Sequence, residues 1–393
     1  MEKGNKIKTV IPTLRFPEFQ DTVGWKEYKL KSLCEIGNGK DYKHLGRGNI
    51  PVYGSGGYMT SVDDFLYDGE SVCIGRKGTI DKPIFLTGKF WTVDTLFYTH
   101  SFHNCLPKFL YLIFQKINWY KHNEAGGVPS LSKTTIGEIN VFVPVGKNGE
   151  LKEQQKIVDC IFSLDELIEA TTQKVEALKE HKKGLMQRLF PAEDKNVPDL
   201  RFSEFQGMKG WEKTYIYEEC PNIYSGGTPK TTEKKYYGGD IPFIRSAEIG
   251  KDKTELFITQ EGLNNSSAKM VQKGDLLIAL YGANSGDIAI SKIDGAINQA
   301  ILCLKAKNNN LFIYYGLLKI QKDIVSKYLQ GGQGNLSGEI IKSIDFYIPQ
   351  GIEQQKIADC LFSLDELIEA TSRKVEILKE HKKGLMQQLF PKI

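Results

Sequence analysis

The most regular hydrophobic pattern in the chain runs through residues 153–191 and returns in residues 353–391. Apolar residues alternate at spacings of four and three, a period of 3.5 residues that is typical of a coiled-coil seam. In the first copy the seam residues are Ile157, Ile161, Leu164, Ile168, Val175, Leu178, Leu185 and Leu189. In the second copy they are Ile357, Leu361, Leu364, Ile368, Val375, Leu378, Leu385 and Leu389. A proline ends each pattern, so the sequence predicts two long helices.

The two predicted helices are nearly the same sequence. Between Glu153–Pro191 and Glu353–Pro391 only positions 158, 161, 172, 173, 177 and 188 differ from their counterparts 200 residues later. A helix of about 36 residues rises roughly 54 Å, and alone it would expose its seam to water. The other copy is its nearest partner, and two equal units favour a self-complementary, antiparallel pairing. We therefore expect an antiparallel coiled coil with pseudo-two-fold symmetry.

Residues outside the seam also repeat without change. They include Glu153, Gln154, Gln155 and Lys156 at the start of the helix, and the run KEHKKGLMQ near its end. Identical outer faces would present one docking patch twice, and the chief candidates are Lys183, Gln187, Lys383 and Gln387. A recent duplication, or a plain duplicated scaffold with the helices as its core, would leave the same pattern.

A second, shorter repeat precedes each variable region. The segment IPTLRFPEFQDTVGWKE (11–27) reappears as VPDLRFSEFQGMKGWEK (197–213). The regions that follow, roughly 28–152 and 214–352, are called here the first body and the second body. GGVPSLSKTTIGEINVFVP (126–144) aligns with GGQGNLSGEIIKSIDFYIP (331–349), and short β-branched runs between glycine turns predict mainly β-structure in both. The expected fold class is α+β, with one body fold used twice.

These repeats divide the chain into four parts. The predicted domains are 1–152, which includes the segment 11–27, and 192–352, which includes the segment 197–213. The predicted helical regions are 153–191 and 353–393. A length of 393 residues agrees with more than one domain.

Composition narrows the class of protein but not its function. Hydrophobic residues make up 40% and charged residues 25%, as in an ordinary soluble protein. We find neither an apolar run long enough for a membrane span nor a signal peptide, and we expect a cytoplasmic protein. Seven cysteines without a CxxC pair suggest buried free thiols in a reducing compartment. The net charge of +4 is compatible with a nucleic-acid partner but does not establish one.

A search for chemistry finds little. The sequence has no NPPY-like methyltransferase tetrapeptide, no GxGxxG behind a convincing strand and no GxxxxGK[ST] loop. His100, His103 and Cys105 in HSFHNC would be the start of a metal site, but a second ligand cluster is missing. We therefore predict no catalytic residue, no metal and no cofactor in this chain.

The ordered pair of units resembles the specificity subunit of a type I restriction–modification enzyme, over almost the whole chain. Each long helix begins with EQQKI shortly after a strand-ending proline, which is similar to the family's helix start. YSGGTPKTTEKKYYGGDIPFI (224–244) resembles the family's opening of a target-recognition domain. The first body departs from that opening, because GNGKDYKHLGRGNIPVYGSGG (37–57) has no Thr-Pro pair.

The resemblance implies a chain that chooses a DNA sequence and does no chemistry. Residues 1–152 and 192–352 would be target-recognition domains, each reading one half of an asymmetric, bipartite site on double-stranded DNA. The helices would set the spacing, which at about 3.4 Å per base pair corresponds to half-sites within roughly 15 base pairs. They would also dock two methyltransferase subunits and, through these, the restriction (motor and nuclease) subunits.

The same resemblance implies one copy of this chain per complex and a role in phage defence. S-adenosylmethionine, ATP and Mg²⁺ would be bound by the partner subunits and not by this chain. Two alternatives stay open from the residues alone: a symmetric coiled-coil scaffold that never touches DNA, and a free-standing DNA-modification or defence enzyme.

Candidate DNA contacts are polar and basic residues beside glycine-rich loops, because arginine, asparagine and glutamine read bases and lysine holds phosphate. In the first body they are Lys40, Tyr42, Lys43, His44, Arg47, Tyr53, Ser55, Tyr58, Arg76 and Lys77. In the second body they are Tyr224, Ser225, Thr228, Lys230, Thr231, Lys234, Lys235, Arg245, Ser246, Tyr281, Asn284, Gln330, Gln333 and Asn335. Tyr42, Tyr53 and Tyr281 fit half-buried strand positions equally well.

Overall fold

The computed structural model describes residues 9–146, 151–193, 195–328 and 336–392. They form two compact units. Unit 1 contains the residues up to Thr172 together with those from Lys374 onward, and unit 2 is Gln173–Arg373. Each unit therefore holds one body, half of the first long helix and half of the second. The four predicted domain bounds stay a prediction, since these units cut across both helices.

The first half of the chain forms a mainly β body and leads into the first long helix. Its strands are β1 (Thr9–Val10), β2 (Trp25–Lys29), β3 (Glu35–Asn38), β4 (Arg47–Gly54), β5 (Gly57–Val62), β6 (Tyr67–Asp68), β7 (Ser71–Gly75), β8 (Ile84–Leu86), β9 (Lys89–Thr92), β10 (Leu96–His100) and β11 (Asn140–Val143). Its helices are α1 (Pro107–Lys116), α2 (Lys133–Glu138) and the long α3 (Lys152–Leu189), with 3-10 turns at Pro17–Phe19, Leu30–Ser32 and Trp119–His122.

The chain from Ser203 onward repeats this order of elements, with a two-stranded sheet where the first copy has the three-stranded sheet β1-β2-β11. Its strands are β12 (Glu212–Tyr215), β13 (Asn222–Ser225), β14 (Tyr237–Ile244), β15 (Phe257–Ile258), β16 (Lys269–Val271), β17 (Leu276–Ala279), β18 (Ile288–Ile290), β19 (Gly295–Ile297), β20 (Ile301–Lys305) and β21 (Asp345–Ile348). Its helices are α4 (Ile216–Glu219), α5 (Gln260–Asn264), α6 (Asn310–Tyr328), α7 (Gly338–Lys342) and the long α8 (Gly351–Leu389), with 3-10 turns at Ser203–Phe205, Lys234–Tyr236, Ser246–Glu248 and Gly282–Asn284.

The two bodies share one strand order. The first has sheets β3-β10-β7-β8 and β5-β4-β9-β6, and the second has β13-β20-β17-β18 and β15-β14-β19-β16. Pairing is antiparallel except between β4 and β9 and between β14 and β19, which are parallel in both bodies. The strand that ends at the proline, β11 or β21, pairs with β2 or β12. The prediction of one α+β fold used twice is confirmed.

Within each unit the start of one long helix packs with the end of the other. In unit 1, Ile157 and Ile161 of α3 share a core with Leu389 of α8 and with Phe390. In unit 2, Ile357 and Leu361 share a core with Leu189. The pairing is therefore antiparallel in both units, as predicted. All sixteen predicted seam residues are buried or half-buried.

Lys182, Lys382 and Thr171 are polar residues in the seam register, and each has a partner. The Lys182 amine lies 2.6 Å from Asp365 in unit 2, and the Lys382 amine lies 2.6 Å from Asp165 in unit 1. The Thr171 hydroxyl donates to the carbonyl of Leu167 in its own helix. A lysine head can thus stay at the seam because a carboxylate from the facing helix neutralises it.

One part of the predicted outer face is wrong. Glu153 and Gln154 are buried instead of facing solvent. Both Glu153 oxygens accept from the Arg15 guanidinium at 2.7 Å, and one also accepts from the Trp25 indole at 3.0 Å. The Gln154 amide donates to the carbonyls of Asn104 and Pro144. The start of the helix is therefore bound to the LRF…GW segment and to the first body.

In unit 2 the start of the long helix makes the same contact with the second LRF…GW segment. The Arg201 guanidinium binds both oxygens of Glu353 at 2.8 and 2.7 Å, and the Trp211 indole donates to the same carboxylate. Glu353 and Gln354 are also buried, so their predicted place on the outer face is wrong as well. The two repeats found in the sequence, the LRF…GW segment and the long helix, therefore bind each other in both units.

In each unit an aromatic cluster and a lysine bind the end of the other long helix. In unit 1, Trp25, Phe109 and Phe390 pack together, with ring centroids 5.3 to 5.6 Å apart. The Lys116 amine donates to the carbonyls of Met386 and Phe390, at the end of α8. In unit 2 the cluster is Trp211, Phe312 and Phe190, and Lys319 donates to the carbonyls of Phe190 and Pro191 at the end of α3. Each lysine satisfies carbonyls that a helix end leaves unpaired.

All seven cysteines are free thiols. Five are buried as expected, whereas Cys160 and Cys360 are only half-buried, because they lie beside the seam and not in it. Across the described parts of the chain, none of the helices combines the length and the apolar character that a bilayer crossing requires.

Candidate nucleic-acid interface

The first group of predicted DNA contacts lies between β3 and the start of β4. Lys40, Lys43, His44 and Arg47 are exposed there, and Tyr42 is half-buried. The Trp91 indole donates to the Lys40 carbonyl at 2.8 Å, and the His44 ring packs edge-on against Trp91 at 5.8 Å. This basic segment is therefore held against the body with its cationic side chains free to meet a ligand.

A second group lies at the β4–β5 turn. Tyr58 is 63% exposed, with its hydroxyl 3.1 Å from that of Ser61. Tyr53 is half-buried, and its ring contacts Tyr58 edge-on at 6.1 Å. Ser55 lies close to Gly78 of the β7–β8 connection. Tyr53 thus supports the exposed Tyr58 and forms part of the strand packing.

Arg76 and Lys77 line a cleft of about 590 Å³ in the first body. The Arg76 backbone is held on both sides, because its amide donates to Thr95 and its carbonyl accepts from Leu131. Its guanidinium lies over the Phe97 ring at 6.0 Å. The cleft therefore forms where the end of β7, the β9–β10 turn and the GGVPSLS segment meet.

The cleft also contains residues that the sequence search missed. Asn38, Asp94, Glu124 and Ser130 lie on its walls. The hydroxyls of Thr135 and Ser132 donate to the Glu124 carboxylate and lower its pKa. These residues come from three separate segments and carry no common local motif, so only the tertiary fold could have brought them together.

In the second body the GGTP motif is required by packing. A Cβ on Gly226 would meet the Ile297 carbonyl oxygen at 1.8 Å, and one on Gly227 would meet the Ser267 hydroxyl at 1.9 Å. The Tyr237 hydroxyl donates to the Pro229 carbonyl, and the Thr228 hydroxyl donates to Gln299 at 2.8 Å. In the first body Gly39 makes a similar close approach to the Val93 carbonyl, so the missing Thr-Pro pair does not change this part of the fold.

The loop after this motif carries a cluster of exposed cations. Lys230, Thr231, Lys234 and Lys235 are all exposed. Lys235 pairs with Glu261 at 2.5 Å. No hydrogen bond or ion pair links the Lys230 or Lys234 amine to another described residue, which leaves both amines free for a phosphate.

Two predicted contacts are engaged inside the second body. The Arg245 guanidinium binds Glu248 at 2.9 Å and Glu255 at 2.7 Å. Its hydrogen bond lowers the pKa of the 5%-exposed Glu248 to about 2. The Tyr224 hydroxyl donates to the Met270 carbonyl, and burial raises the pKa of Tyr224. Both side chains have a structural task, and their role in DNA contact stays a prediction.

The remaining candidates of the second body are scattered. Ser225 and Tyr281 are exposed and Ser246 is half-buried. The Asn284 amide donates to Asp287 at 2.9 Å. Gln330, Gln333 and Asn335 lie outside the described residues.

The docking candidates on the helices are exposed. The Lys183 and Lys383 amines lie 3.6 and 3.9 Å from Glu180 and Glu380, in their own helices. Such surface pairs stabilise a fold by less than about 1 kcal/mol. Gln187 and Gln387 are exposed beside them. The repeated identity of these four residues therefore has no explanation in the contacts that hold the fold.

No group of three or more histidine, cysteine, aspartate or glutamate residues fit for a metal occurs in the described part of the chain. Of the three residues considered from the sequence, Cys105 is buried, and burial raises its pKa. The His100 ring lies 3.7 Å from Glu35 and contacts Ser101.

Comparison with known proteins gives one consistent family. The family model described as "Type I restriction modification DNA specificity domain" matches residues 22–180 and 208–380. The putative type I restriction enzyme MjaX specificity subunit of Methanocaldococcus jannaschii is 27% identical over 295 residues, which cover 72% of this chain and 66% of that protein. The type I restriction enzyme MjaVIII specificity subunit of the same organism is 26% identical over 346 residues, or 83% and 77% of the two chains.

Solved structures show the same fold. The S subunit of a type I restriction–modification system from M. genitalium superimposes with a TM-score of 0.70 at 16% identity, over 98% of this chain and 100% of that chain. A chain from a structural study of complex assembly and conformational transition in the type I R-M system gives a TM-score of 0.55 at 12% identity, over 94% and 98% of the chains.

Proposed function

Because the chain belongs to the type I restriction modification DNA specificity family, we propose that it is the subunit that selects the DNA sequence in a multisubunit restriction–modification enzyme. It is a DNA specificity protein, and the prediction that it is not itself an enzyme agrees with the specificity subunits that it matches.

Each body reads one half of a bipartite target on double-stranded DNA. The observation that carries this proposal is the shared strand order of the two bodies, combined with different exposed side chains at matching positions. Asp94 of the first body matches Gln299 of the second, and Lys77 matches Tyr281, by the register of β7 with β10 and of β17 with β20. Two bodies with the same strand order but different exposed side chains favour two different half-sites. The target is then asymmetric, since palindromes go with identical halves.

The helices dock two methyltransferase subunits, and restriction subunits join through these. Support comes from Lys183, Gln187 and their copies Lys383 and Gln387, which are exposed and identical, and whose ion pairs among the described residues lie within their own helices. S-adenosylmethionine, ATP and Mg²⁺ belong to the partner subunits, one copy of this chain serves each complex, and the complex works in the cytoplasm.

The test is an exchange of the first body. Residues 28–152 are replaced by the corresponding body of a related specificity subunit, and the methylated sites in cells are mapped by sequencing. We expect one half of the methylated motif to change while the other half and the spacing persist. An unchanged motif, or a change in both halves, contradicts the proposal. A chain that shows no sequence-specific duplex binding or methylation before the exchange favours a scaffold that does not read DNA.

A further inference from the structure

The cleft of the first body has a counterpart with the same backbone frame in the second. The amide of Arg76 donates to the Thr95 carbonyl at 2.8 Å, and its carbonyl accepts from Leu131 at 2.9 Å. At the matching place the amide of Leu280 donates to Ala300 at 2.8 Å, and its carbonyl accepts from Leu336 at 3.1 Å. Two bodies of dissimilar sequence therefore build one frame with the same two hydrogen bonds.

The buried anchors of this frame are kept, whereas its exposed side chains are replaced. Leu131 and Leu336 are both buried, and the hydroxyls of Ser132 and Ser337 both accept from a backbone amide three residues later. The register of β3 with β10 and of β13 with β20 places Asn38 opposite Phe97 and Ser225 opposite Leu302. Asn38 thus becomes Ser225 and Asp94 becomes Gln299. A constant frame with changed exposed groups is what selection for different ligands on one scaffold would produce.

The first body combines a free guanidinium with carboxylates in its cleft. Among the described residues no carboxylate pairs with Arg76, whose Nη1 only approaches the Asp94 carbonyl at 3.5 Å. Asp94 and Glu124 line the same cleft. Carboxylates repel phosphate, so this cleft is unsuited to the DNA backbone. Arginine can donate two hydrogen bonds to O6 and N7 of guanine, and a carboxylate can accept from N4 of cytosine.

The second body presents an amide instead. Gln299 is exposed, and its Oε1 accepts from the Thr228 hydroxyl at 2.8 Å. This bond sets the amide orientation and leaves the Nε2 group and one lone pair of Oε1 for a ligand. A glutamine can donate to N7 and accept from N6 of adenine. The matching position in the first body holds the Asp94 carboxylate, which has no donor for N7.

We infer that the first-body cleft and the matching site at Gln299 discriminate bases: Arg76, with Asp94 and Glu124, selects a G·C pair in one half-site, and Gln299 selects an A·T pair in the other. The inference rests on the proposed function and deepens it. It separates base readers from the basic loops at Lys40–Lys43 and Lys230–Lys235, which hold phosphates.

The test uses the full chain together with the methyltransferase of its own system, with methylated motifs mapped in cells and duplex binding measured by competition. R76K keeps the charge and the backbone bonds but loses the two-pronged donor, and Q299E keeps an acceptor for Thr228 but removes the donor for adenine N7. K89A, an exposed cation on β9 away from the cleft, is the matched control. Thermal unfolding of each variant establishes that it is folded.

We expect R76K to lower the preference for G·C at one position of one half-site by roughly 5- to 100-fold, without effect on the other half-site. Q299E should shift one position of the other half-site from A·T toward G·C, because a carboxylate can accept from N4 of cytosine but cannot donate to N7 of adenine. K89A should leave the motif unchanged.

A folded R76K or Q299E that keeps every base preference overturns the inference, as does an equal loss of binding to all sequences, which would make the residue a phosphate contact. Failure of the proposed function is distinguishable, because in that case the unaltered chain would itself show no sequence-specific binding or methylation.

Discussion

Glu153 and Glu353 each hold an arginine and a tryptophan on one carboxylate at the start of a long helix. From the sequence alone these glutamates were placed on the outer face, because identity between two copies suggested a surface constraint. The repeated Arg15 and Trp25, with their copies Arg201 and Trp211, carried the missing signal. A charged residue that repeats together with an oppositely charged one is better explained as a buried pair, since neither can be lost alone.

Removing the charge of Glu153 should destabilise unit 1. In E153Q the Arg15 guanidinium, 4% exposed, would stay buried without its counter-ion. We expect the free energy of unfolding to fall by about 3 to 5 kcal/mol in urea denaturation. The control is K156Q, which breaks the exposed Lys156–Glu18 pair at 3.3 Å and should cost less than about 1 kcal/mol. Equal losses in the two variants would contradict the role given to Glu153.

Arg245 and Glu248 predict an acid-dependent contribution to stability. The pKa of Glu248 is about 2 in the folded chain, below its ordinary value of 4.5, chiefly because Arg245 donates to it. A lowered carboxylate pKa stabilises the fold above the unfolded value, and the stabilisation is lost as the pH falls. The difference in unfolding free energy between the unaltered chain and E248Q should therefore shrink from about pH 4.5 to about pH 2. A difference that is constant over this range would show that the ion pair does not stabilise unit 2.

At the scale of elements, the helices were accessible to sequence reasoning and the sheets were not. Periodicity identified the seam because every turn of a helix repeats the same local rule. The sheets depend on pairings between distant strands, such as β3 with β10 and β4 with β9. No local pattern encodes such pairings, and for this reason Asn38, Asp94 and Glu124 of the cleft were missed while the neighbouring Arg76 and Lys77 were found.

The two seam ion pairs differ in a way that can be measured. Asp365 accepts from Lys182 and also from the Tyr315 hydroxyl at 2.7 Å. In the first body Leu112 stands at the place of Tyr315, counted from Lys116 and Lys319. D365N should therefore cost about 1 kcal/mol more than D165N in unfolding free energy. A hydrogen bond to a charged group is worth about 1.5 to 3 kcal/mol, whereas the neutral one that an asparagine oxygen would keep is worth about 0.5 to 1.5 kcal/mol.

The Y315F background supplies the control for this comparison. Without the hydroxyl, D365N and D165N should cost the same in urea denaturation. A difference that persists in Y315F would assign it to another part of unit 2.

At the scale of the whole molecule, the family and the duplication were predictable because both repeats are long and ordered. The two compact units were less predictable from the sequence, since each is assembled from residues far apart in the chain. The predicted DNA contacts in the loops are mostly exposed, but their chemistry depends on neighbours that the sequence does not reveal. Arg76 has no carboxylate partner among the described residues, whereas Arg245 has two.

Charge reversal on the helices should separate docking from folding. We expect K183E and K383E singly to leave one methyltransferase bound, and the double variant to lose both, as measured by the mass of the purified complex. Unfolding free energies should change by less than about 1 kcal/mol, because both lysines are exposed. R373E is the control, since Arg373 is exposed on α8 at a position where the first copy has Gln173. A double variant that still binds two methyltransferases would remove these lysines from the interface.

The division of the chain has a consequence for its biosynthesis. Unit 2 is continuous from Gln173 to Arg373, so all of its residues are synthesised before the second segment of unit 1, which begins at Lys374. Unit 1 cannot close until the last segment arrives, because Phe390 packs on Trp25 and Phe109. A polypeptide that ended before Lys374 would hold all of unit 2 and an incomplete unit 1 with exposed aromatic surface. Quality-control proteases and chaperones recognise such surface, and a prematurely terminated product would therefore be removed before it could compete for partner subunits.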